Sequence, residues 1–317
     1  MPRRSYIVYD TSGRNEYPAE ARQALAGLNV QLQSRAAPEG SDWMAECSDA
    51  DALLVTGARI TAAVLAALPR LRAVVRYGVG LDRIDLVAAR ERGVEVRNVR
   101  DFCIDELADH TIGLLLALSR DLAAADQRVR RGAWELGPRK LYRLRGQTLG
   151  LVGLGAIGRA VAQRAAAFGL ERLAYDPFAN QDGTASGIRL TADLDELLEQ
   201  SDWISLHCPL TPQTAGLIDA AAFSRMKPGA GLINTARGEI VVADALVSAL
   251  DSGHLAAAGL DVLEQEPPLP ENPLLRQPNV ILTPHSAWYS ETACRDVEIG
   301  AFRQLADVLR NLPPAPA

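Results

Sequence analysis

The chain has 317 residues, of which 48% are hydrophobic and 23% are charged, and this length exceeds what one hydrophobic core usually supports, so we predict two domains. Its 33 basic and 39 acidic residues give a net charge of −6 without any block of like charges, which argues against nucleic acid and membrane surfaces as partners. The four cysteines form no Cys-x-x-Cys pair, which favours reduced thiols over disulfides or a metal site. Since we find neither a signal-peptide core nor an apolar run of membrane-spanning length, we expect a cytoplasmic protein.

The first hundred residues alternate short apolar runs with alanine-rich helical stretches, a pattern that predicts a parallel sheet covered by helices on both faces. The predicted strands are 6–9, 52–55, 71–75 and 94–96, and the predicted helices are 18–28 and 60–68. A long helix is then predicted over 104–131, where apolar residues recur at three- and four-residue spacing after an acidic opening.

A second alternating series begins at Gln147 and predicts a complete doubly wound unit. Its predicted strands are 148–152, 172–175, 203–206, 231–234 and 280–282, and its predicted helices are 157–168, 194–199 and 241–250. A last helix, 290–312, is expected to return to the first domain. We therefore predict an α/β protein with two doubly wound parallel-sheet domains: a flavodoxin-like substrate domain of residues 1–99 and 288–317, and a Rossmann cofactor domain of residues 100–287 inserted in it.

A glycine-rich turn follows the first strand of the second series and opens a helix. Gly153 permits a tight turn, Gly155 lets the backbone approach a pyrophosphate, and Gly158 allows close packing of helix on strand, while Ala156 and Ile157 begin the helix whose N-terminus would face the phosphates. The next strand ends at Asp176, close to the separation expected for a ribose-binding acid. A carboxylate there would repel a 2′-phosphate, so we predict NAD as the cofactor over NADP.

Hydride transfer to a 2-oxo acid needs a cation for the carboxylate and a proton donor beside the carbonyl oxygen. His285 is the best candidate for the donor, because it follows the last apolar strand, where open α/β sheets bind their ligands. His207 lies at another strand end. We interpret His110, within the long helix, and His254 as packing or surface residues.

Along essentially its whole length the chain resembles the D-isomer-specific 2-hydroxyacid dehydrogenases. The stretches that carry the resemblance are, besides the glycine turn with Asp176, RYGVGLDRID at 76–85, LHCPLTPQT at 206–214, MKPG at 226–229, NTARG at 234–238, GLDV at 259–262, EQEP at 264–267 and TPH at 283–285. Within the family the chain is most similar to the C-terminal-binding-protein-like branch, because HSAWYSE at 285–291 and Arg76 match that group.

The resemblance implies a role for each matched residue. Arg237 would bind the substrate carboxylate and polarise the carbonyl, His285 would donate the proton on reduction, and Glu266 would pair with His285 and stabilise its charged form. The turn Gly78, Val79 and Gly80 would take the other carboxylate oxygen through backbone amides. The remaining cofactor contacts would come from His207, Cys208, Pro209, Thr214, Thr235, Ala236 and, at the nicotinamide carboxamide, Asp261.

Some members of the family are less favoured by these residues. A formate dehydrogenase would place an amide where Glu266 stands, and a phosphite dehydrogenase would place a lysine near Val79. The serine-pathway phosphoglycerate enzyme commonly carries an added regulatory domain, which we do not expect here because the sequence ends shortly after the returning helix.

Substrate choice and assembly are left open by the sequence. Arg100 replaces the usual proline near the hinge, and with Arg76 it could favour acids that carry a distal negative charge; the alternative, which the sequence favours, is a solvent-facing arginine. Trp288 could form a flat apolar wall of the substrate pocket or pack against the returning helix. The resemblance implies a homodimer that pairs through the long helix and the Trp134 region. It also leaves a second class of function open, an NAD(H)-sensing interaction protein with little turnover.

Overall fold

The structure is a computed structural model that describes residues 5–37, 43–179 and 187–312. The chain divides into two compact units, one formed by Met1–Cys103 and Ser290–Ala317 and the other by Ile104–Tyr289. The second unit is thus inserted in the sequence of the first. The predicted boundaries, after residue 99 and before residue 288, lie close to these divisions, and the assignment of the units to substrate and cofactor stays a prediction.

The described part of the first unit is built on a parallel sheet with the order β2-β1-β3-β4-β5, the flavodoxin-like order. Its strands are β1 (Ser5–Asp10), β2 (Asn29–Ser34), β3 (Ala52–Val55), β4 (Ala73–Arg76) and β5 (Glu95–Asn98). Its helices are α1 (Ala19–Ala24), α2 (Trp43–Glu46), α3 (Ala62–Ala67), α4 (Leu86–Glu91) and, last in chain order, α11 (Glu291–Asn311).

The apolar core of this unit lies on both faces of the sheet. One cluster gathers Leu53, Val55 and Val74 with α3 and α4, and the other packs Leu54 and Val75 against α11 through Phe302 and its neighbours. Side chains on the two faces belong to alternate residues of the same strands, as expected for a parallel sheet buried on both sides.

The described part of the second unit is built on a parallel sheet with the order β12-β11-β10-β9-β6-β7-β8, a Rossmann arrangement. Its strands are β6 (Thr148–Val152), β7 (Glu171–Tyr175), β8 (Arg189–Thr191), β9 (Trp203–Leu206), β10 (Ala230–Asn234), β11 (Leu255–Leu260) and β12 (Val280–Leu282). Its helices are α5 (Ile104–Ser119), α6 (Leu122–Arg130), α7 (Ala156–Ala167), α8 (Leu194–Gln200), α9 (Ala220–Arg225) and α10 (Ala243–Asp251). The predicted fold class is confirmed in both units.

The long helix predicted over 104–131 is wrong, because it is two helices separated at Asp121. Asp121 adopts a left-handed conformation with φ of 55°, and its carboxylate accepts a bond from Arg128 at 3.1 Å. Arg139 donates to the carbonyl of Leu118, which also accepts the N–H of Asp121 at 3.2 Å. These contacts are polar, and the one from Arg139 comes from outside the predicted helix, so apolar spacing alone could not reveal the break.

The sequence analysis also missed six elements: β2, α2, α4, β8, α9 and β11. β2 and β8 are outer strands with few buried residues, and such edges carry a weak apolar signal. β11 has the sequence LAAAGL, in which the alanine run resembles a helix. Among the described residues, no helix is both long and apolar enough to cross a bilayer.

Candidate active site

The glycine turn between β6 and α7 has the geometry that the sequence predicts. Gly153 has a φ of 100°, and a Cβ there would lie 2.7 Å from the backbone nitrogen of Cys208. A Cβ on Gly158 would lie 2.3 Å from the carbonyl oxygen of Gly153. A Cβ on Gly155, by contrast, would meet no heavy atom within 4 Å. The protein itself therefore requires glycine at 153 and 158, while Gly155 opens a space beside the start of α7 that fits a phosphate group.

Asp176 lies directly beside this turn. One carboxylate oxygen, Oδ2, accepts a hydrogen bond from the backbone N–H of Leu154 at 2.8 Å, and Oδ1 accepts from the N–H of Phe178 at 2.9 Å. These bonds fix the acid at the end of β7, next to the glycines. The residues present thus fit a dinucleotide, with phosphates at the turn and an acid for a ribose.

The segment after β9 lies on the other side of the same turn. His207 bonds Ser205 Oγ through Nε2 at 2.8 Å, and burial lowers the pKa of His207 to about 4. Burial also raises the pKa of Cys208 to about 11. Thr214 accepts the N–H of Thr211 at 2.8 Å and donates to the carbonyl of Pro209 at 2.6 Å. His207 is therefore neutral near pH 7 and Cys208 is a thiol, so this segment is suited to lining a pocket and not to proton transfer.

His285 and Glu266 form the ion pair that the sequence analysis expects. Nδ1 of His285 lies 2.7 Å from Oε2 of Glu266, and Oε1 of Glu266 accepts the N–H of Leu263 at 3.0 Å. Partial burial favours the protonated carboxyl, but the hydrogen bond and charge of His285, the Leu263 amide and the charge of Arg237 outweigh it and lower the pKa of Glu266. The His285 side chain is 44% exposed, so its second ring nitrogen can reach a ligand.

Arg237 follows β10 and is held through its backbone. The side chain of Asn234 donates to the carbonyl of Arg237 at 2.8 Å and accepts the N–H of Ala236 at 3.0 Å. Nη1 of Arg237 bonds the carbonyl of Ala236 at 2.7 Å. The guanidinium contributes to the field at Glu266, so the three predicted catalytic side chains lie in one electrostatic group at the carboxyl ends of β10, β11 and β12.

Asp261, expected at the nicotinamide, is only 2% exposed. Its carboxylate accepts the N–H groups of Ser286 and Ala287, each at 2.9 Å, and the hydroxyl of Thr283 at 2.5 Å. Its backbone carbonyl accepts the N–H of His285 at 2.8 Å. Asp261 therefore holds the loop that carries His285, which has a left-handed φ of 51°.

Sequence reasoning missed the polar residues of α5 that reach this region. Nε2 of His110 lies 3.0 Å from Thr283 Oγ1, and Thr111 Oγ1 lies 2.9 Å from Thr235 Oγ1. The sequence analysis interprets His110 as a packing or surface residue, and the structure adds that it bonds the segment that leads to His285. The sequence signal that could have indicated these contacts is the pair of polar residues, His110 and Thr111, within a largely apolar helix.

The turn expected to bind the substrate carboxylate lies in the first unit, between β4 and α4. Its three carbonyls are held by bonds from neighbours: Gly78 by the N–H of Val99 at 3.2 Å, Val79 by Asn98 Nδ2 at 2.5 Å, and Gly80 by Arg76 Nε at 2.7 Å. Arg76 is thus used, at least in part, to shape this turn.

Of two further residues that the sequence singled out, Arg100 is exposed and Trp288 is half-buried. In the first unit, Nε of Arg100 donates to the side chain of Asn98 at 3.3 Å. In the second, the rings of Trp288 and Tyr289 meet edge to face with their centroids 5.9 Å apart. Among residues 5–37, 43–179 and 187–312, no group of three or more His, Cys, Asp or Glu side chains could hold a metal ion.

Comparison with known proteins identifies the family. Residues 112–287 match the family model described as "D-isomer specific 2-hydroxyacid dehydrogenase, NAD binding domain". A glyoxylate reductase from Korarchaeum cryptofilum is 42% identical over 261 residues, which cover 80% of this chain and 78% of that protein. A D-3-phosphoglycerate dehydrogenase from Mycobacterium tuberculosis is 44% identical over 84% of this chain, and the match spans about half, 51%, of that longer relative.

Solved structures agree with this result. A D-lactate dehydrogenase from Aquifex aeolicus, crystallised with NAD and lactic acid, is 30% identical, covers 96% of this chain and 95% of its own, and superposes with a TM-score of 0.84. The predicted family and its NAD-binding domain are confirmed, while the branch within the family stays a prediction. The chain belongs to the D-isomer-specific 2-hydroxyacid dehydrogenase family.

Proposed function

We propose that the chain is an NAD-dependent oxidoreductase that interconverts a small 2-oxo acid and its (R)-2-hydroxy acid. The single observation that carries this proposal is the 2.7 Å pair between His285 and Glu266, which lies within the charge field of Arg237 in a unit that also holds the glycine turn. The relatives' names support the substrate class, since glyoxylate and lactate are a small 2-oxo acid and a small 2-hydroxy acid.

In this proposal His285 supplies the proton that reduction requires. A bound nicotinamide cofactor would supply the hydride to the carbonyl carbon of the substrate. His285 donates the proton from Nε2 to the carbonyl oxygen, which becomes the hydroxyl, and Glu266 at Nδ1 stabilises the imidazolium before the transfer. In the oxidation direction His285 accepts the same proton. Neutral His207 is less suited to this role, because burial disfavours its charged form.

For the second unit we propose that Arg237 binds the substrate carboxylate, and for the first unit we propose, separately, that the turn at residues 78–80 binds an anion. The guanidinium can pair with a carboxylate and polarise the neighbouring carbonyl. In the first unit, a trans peptide places the N–H of Val79 opposite the Gly78 carbonyl and the N–H of Gly80 opposite the Val79 carbonyl. Because these carbonyls are bonded to Val99 and Asn98, both N–H groups point to the other side of the turn, where they can donate to an anion.

The acid that serves as the natural substrate is best found by a panel assay. We expect the wild-type enzyme to oxidise NADH with at least one of glyoxylate, hydroxypyruvate, pyruvate, and branched or thioether 2-oxo acids. Phosphohydroxypyruvate belongs in the panel, because relatives named D-3-phosphoglycerate dehydrogenase keep that class open. Tight NAD(H) binding without turnover on every acid would instead favour the interaction-protein alternative.

We propose NAD as the preferred dinucleotide because of Asp176. Its carboxylate is fixed beside the glycine turn by the N–H groups of Leu154 and Phe178, where a 2′-phosphate would meet negative charge. We expect kcat/KM to favour NADH over NADPH by about 10²-fold and Asp176→Ala to reduce this preference by about tenfold or more. A wild-type preference for NADPH would contradict the assignment.

We also propose that the protein is a homodimer that pairs through the segment around α6. Several large apolar side chains are exposed there: Leu122, Val129, Trp134, Leu136 and Tyr142, with Trp134 90% and Leu136 98% exposed. Such a concentration of exposed apolar groups is typical of a protein interface. Light scattering should give twice the chain mass of 34.0 kDa, and the double variant Trp134→Ser with Leu136→Ser should shift it toward the monomer. A wild-type monomer would refute the dimer.

A further inference from the structure

We propose that His110 and Thr111 are positioning residues which, from one turn of α5, fix the two loops that carry Arg237 and His285. This inference rests on the proposed function, in which those two side chains act on one substrate. His110 and Thr111 are adjacent polar residues that do not themselves belong to the catalytic trio.

The contact of His110 leads to the His285 loop through a chain of hydrogen bonds. Thr283 Oγ1 donates to Asp261 Oδ1 at 2.5 Å, and a hydroxyl has only one proton. Toward His110, at 3.0 Å, Thr283 therefore accepts, so Nε2 of His110 carries the hydrogen. The Asp261 carboxylate in turn accepts the N–H groups of Ser286 and Ala287, which flank His285 on its C-terminal side.

The contact of Thr111 leads to the Arg237 loop by the same reasoning. Thr111 Oγ1 donates to the carbonyl of Leu107 at 2.7 Å, so in its bond with Thr235 at 2.9 Å it accepts and Thr235 donates. Thr111 is fully buried and Thr235 is 6% exposed. Thr235 comes two residues before Arg237, so this bond fixes the loop close to the cation.

The two contacts together set how far the cation stands from the proton donor. β10 ends before Thr235 and β12 ends before Thr283, with β11 between them in the sheet, and α5 bonds both loops. A shift of about 1 Å between groups that act on one substrate can cost about 10²-fold in rate. Neither His110 nor Thr111 needs to touch the substrate, so the expected defect is in kcat and not in KM.

The test compares variants that keep each hydrogen-bonding group with variants that remove it. His110→Gln keeps an N–H donor at similar reach, and His110→Leu has none; Thr111→Ser keeps the hydroxyl, and Thr111→Val has none. His254→Leu is the matched control, because His254 bonds the carbonyl of Met226 at 3.0 Å in the same unit but outside the trio. The readouts are kcat and KM for a 2-oxo acid, and amide hydrogen exchange of His285, Ser286 and Ala287 in the protein alone.

We expect His110→Leu to lower kcat by about tenfold to a hundredfold with KM nearly unchanged, and to speed exchange of the three amides by about tenfold. His110→Gln should stay within about threefold of wild type in both readouts. For the same reason, Thr111→Ser should have a higher kcat than Thr111→Val. Equal losses in the Gln and Leu variants, or wild-type kcat and exchange in His110→Leu, would overturn the proposal. If the wild type reduces no 2-oxo acid, the proposed function fails, and the amide exchange still decides whether His110 fixes the loop.

Discussion

The two halves of the seven-stranded sheet differ in the groups that they place at the carboxyl ends of their strands. At β6, β7 and β9 the backbone forms the proposed site, through a glycine turn and N–H groups that hold Asp176. At β10, β11 and β12 charged side chains provide it, through Arg237, Glu266 and His285. The first half suits a ligand shared by many enzymes, whereas the second half suits one particular reaction.

The largest effect should come from the cation of the charged half. Arg237→Lys keeps a positive charge but loses the planar pair of donors that matches a carboxylate, so we expect kcat/KM for a 2-oxo acid to fall by about 10³-fold. Steady-state kinetics would measure this, with Arg276→Lys, an exposed arginine of the same unit, as the control. Equal kcat/KM values in the two variants would show that Arg237 has no part in the reaction.

The next effect concerns the partner of His285. Glu266→Gln removes the negative charge that stabilises an imidazolium while it keeps the side-chain size, so we expect kcat for reduction to fall by about tenfold to a hundredfold. Binding of NADH, measured by fluorescence titration, should stay within about twofold, because the glycine half of the sheet is untouched. A variant with unchanged kcat would show that the ion pair has no part in proton transfer.

In the half of the sheet formed by β6, β7 and β9, two glycines allow the effect on cofactor binding to be compared with the effect on stability. Gly155→Ala should leave the melting temperature within about 2 °C, because the added Cβ meets open space, yet it should weaken NADH binding by about tenfold. Gly158→Ala should lower stability by about 1–3 kcal/mol as well, because its Cβ would lie 2.3 Å from the Gly153 carbonyl oxygen. If Gly155→Ala bound NADH normally, the space beside Gly155 would not be the phosphate site.

The smallest expected effect is the acid sensitivity of the ion pair. The pKa of Glu266 is lowered in the folded protein, so its contribution to the free energy of unfolding is complete above its ordinary value of about 4.3 and is lost as the pH falls through the lower folded value. Thermal melts from about pH 6 to about pH 3 should therefore show the wild type losing its advantage over Glu266→Gln. A constant difference across this range would mean that the pair does not stabilise the fold.

The sequence predicted strands that form continuous apolar runs better than strands of mixed or alanine-rich sequence. The strands at 52–55, 148–152 and 203–206 have the predicted bounds, because buried parallel strands form continuous apolar runs between polar residues. β2 and β8 were missed since edge strands are half exposed, and the break at Asp121 depends on Arg128 and Arg139.

The candidate site divides in the same way. The glycine turn follows from local pattern alone, because its spacing is dictated by backbone geometry. The pairing of Glu266 with His285 was expected only from the resemblance, since the loop between them has no regular spacing. The bonds from His110 and Thr111 could not be predicted, because they join residues far apart in sequence through single hydroxyl groups.

The central claim is that His285 transfers the proton. The most direct measurement is single-turnover oxidation of bound NADH by a 2-oxo acid that the wild type accepts, comparing His285→Ala with His254→Ala. We expect His285→Ala to be slower by about 10²- to 10⁴-fold with NADH affinity unchanged, and His254→Ala to match the wild type. A His285→Ala enzyme that keeps the wild-type rate would contradict the account.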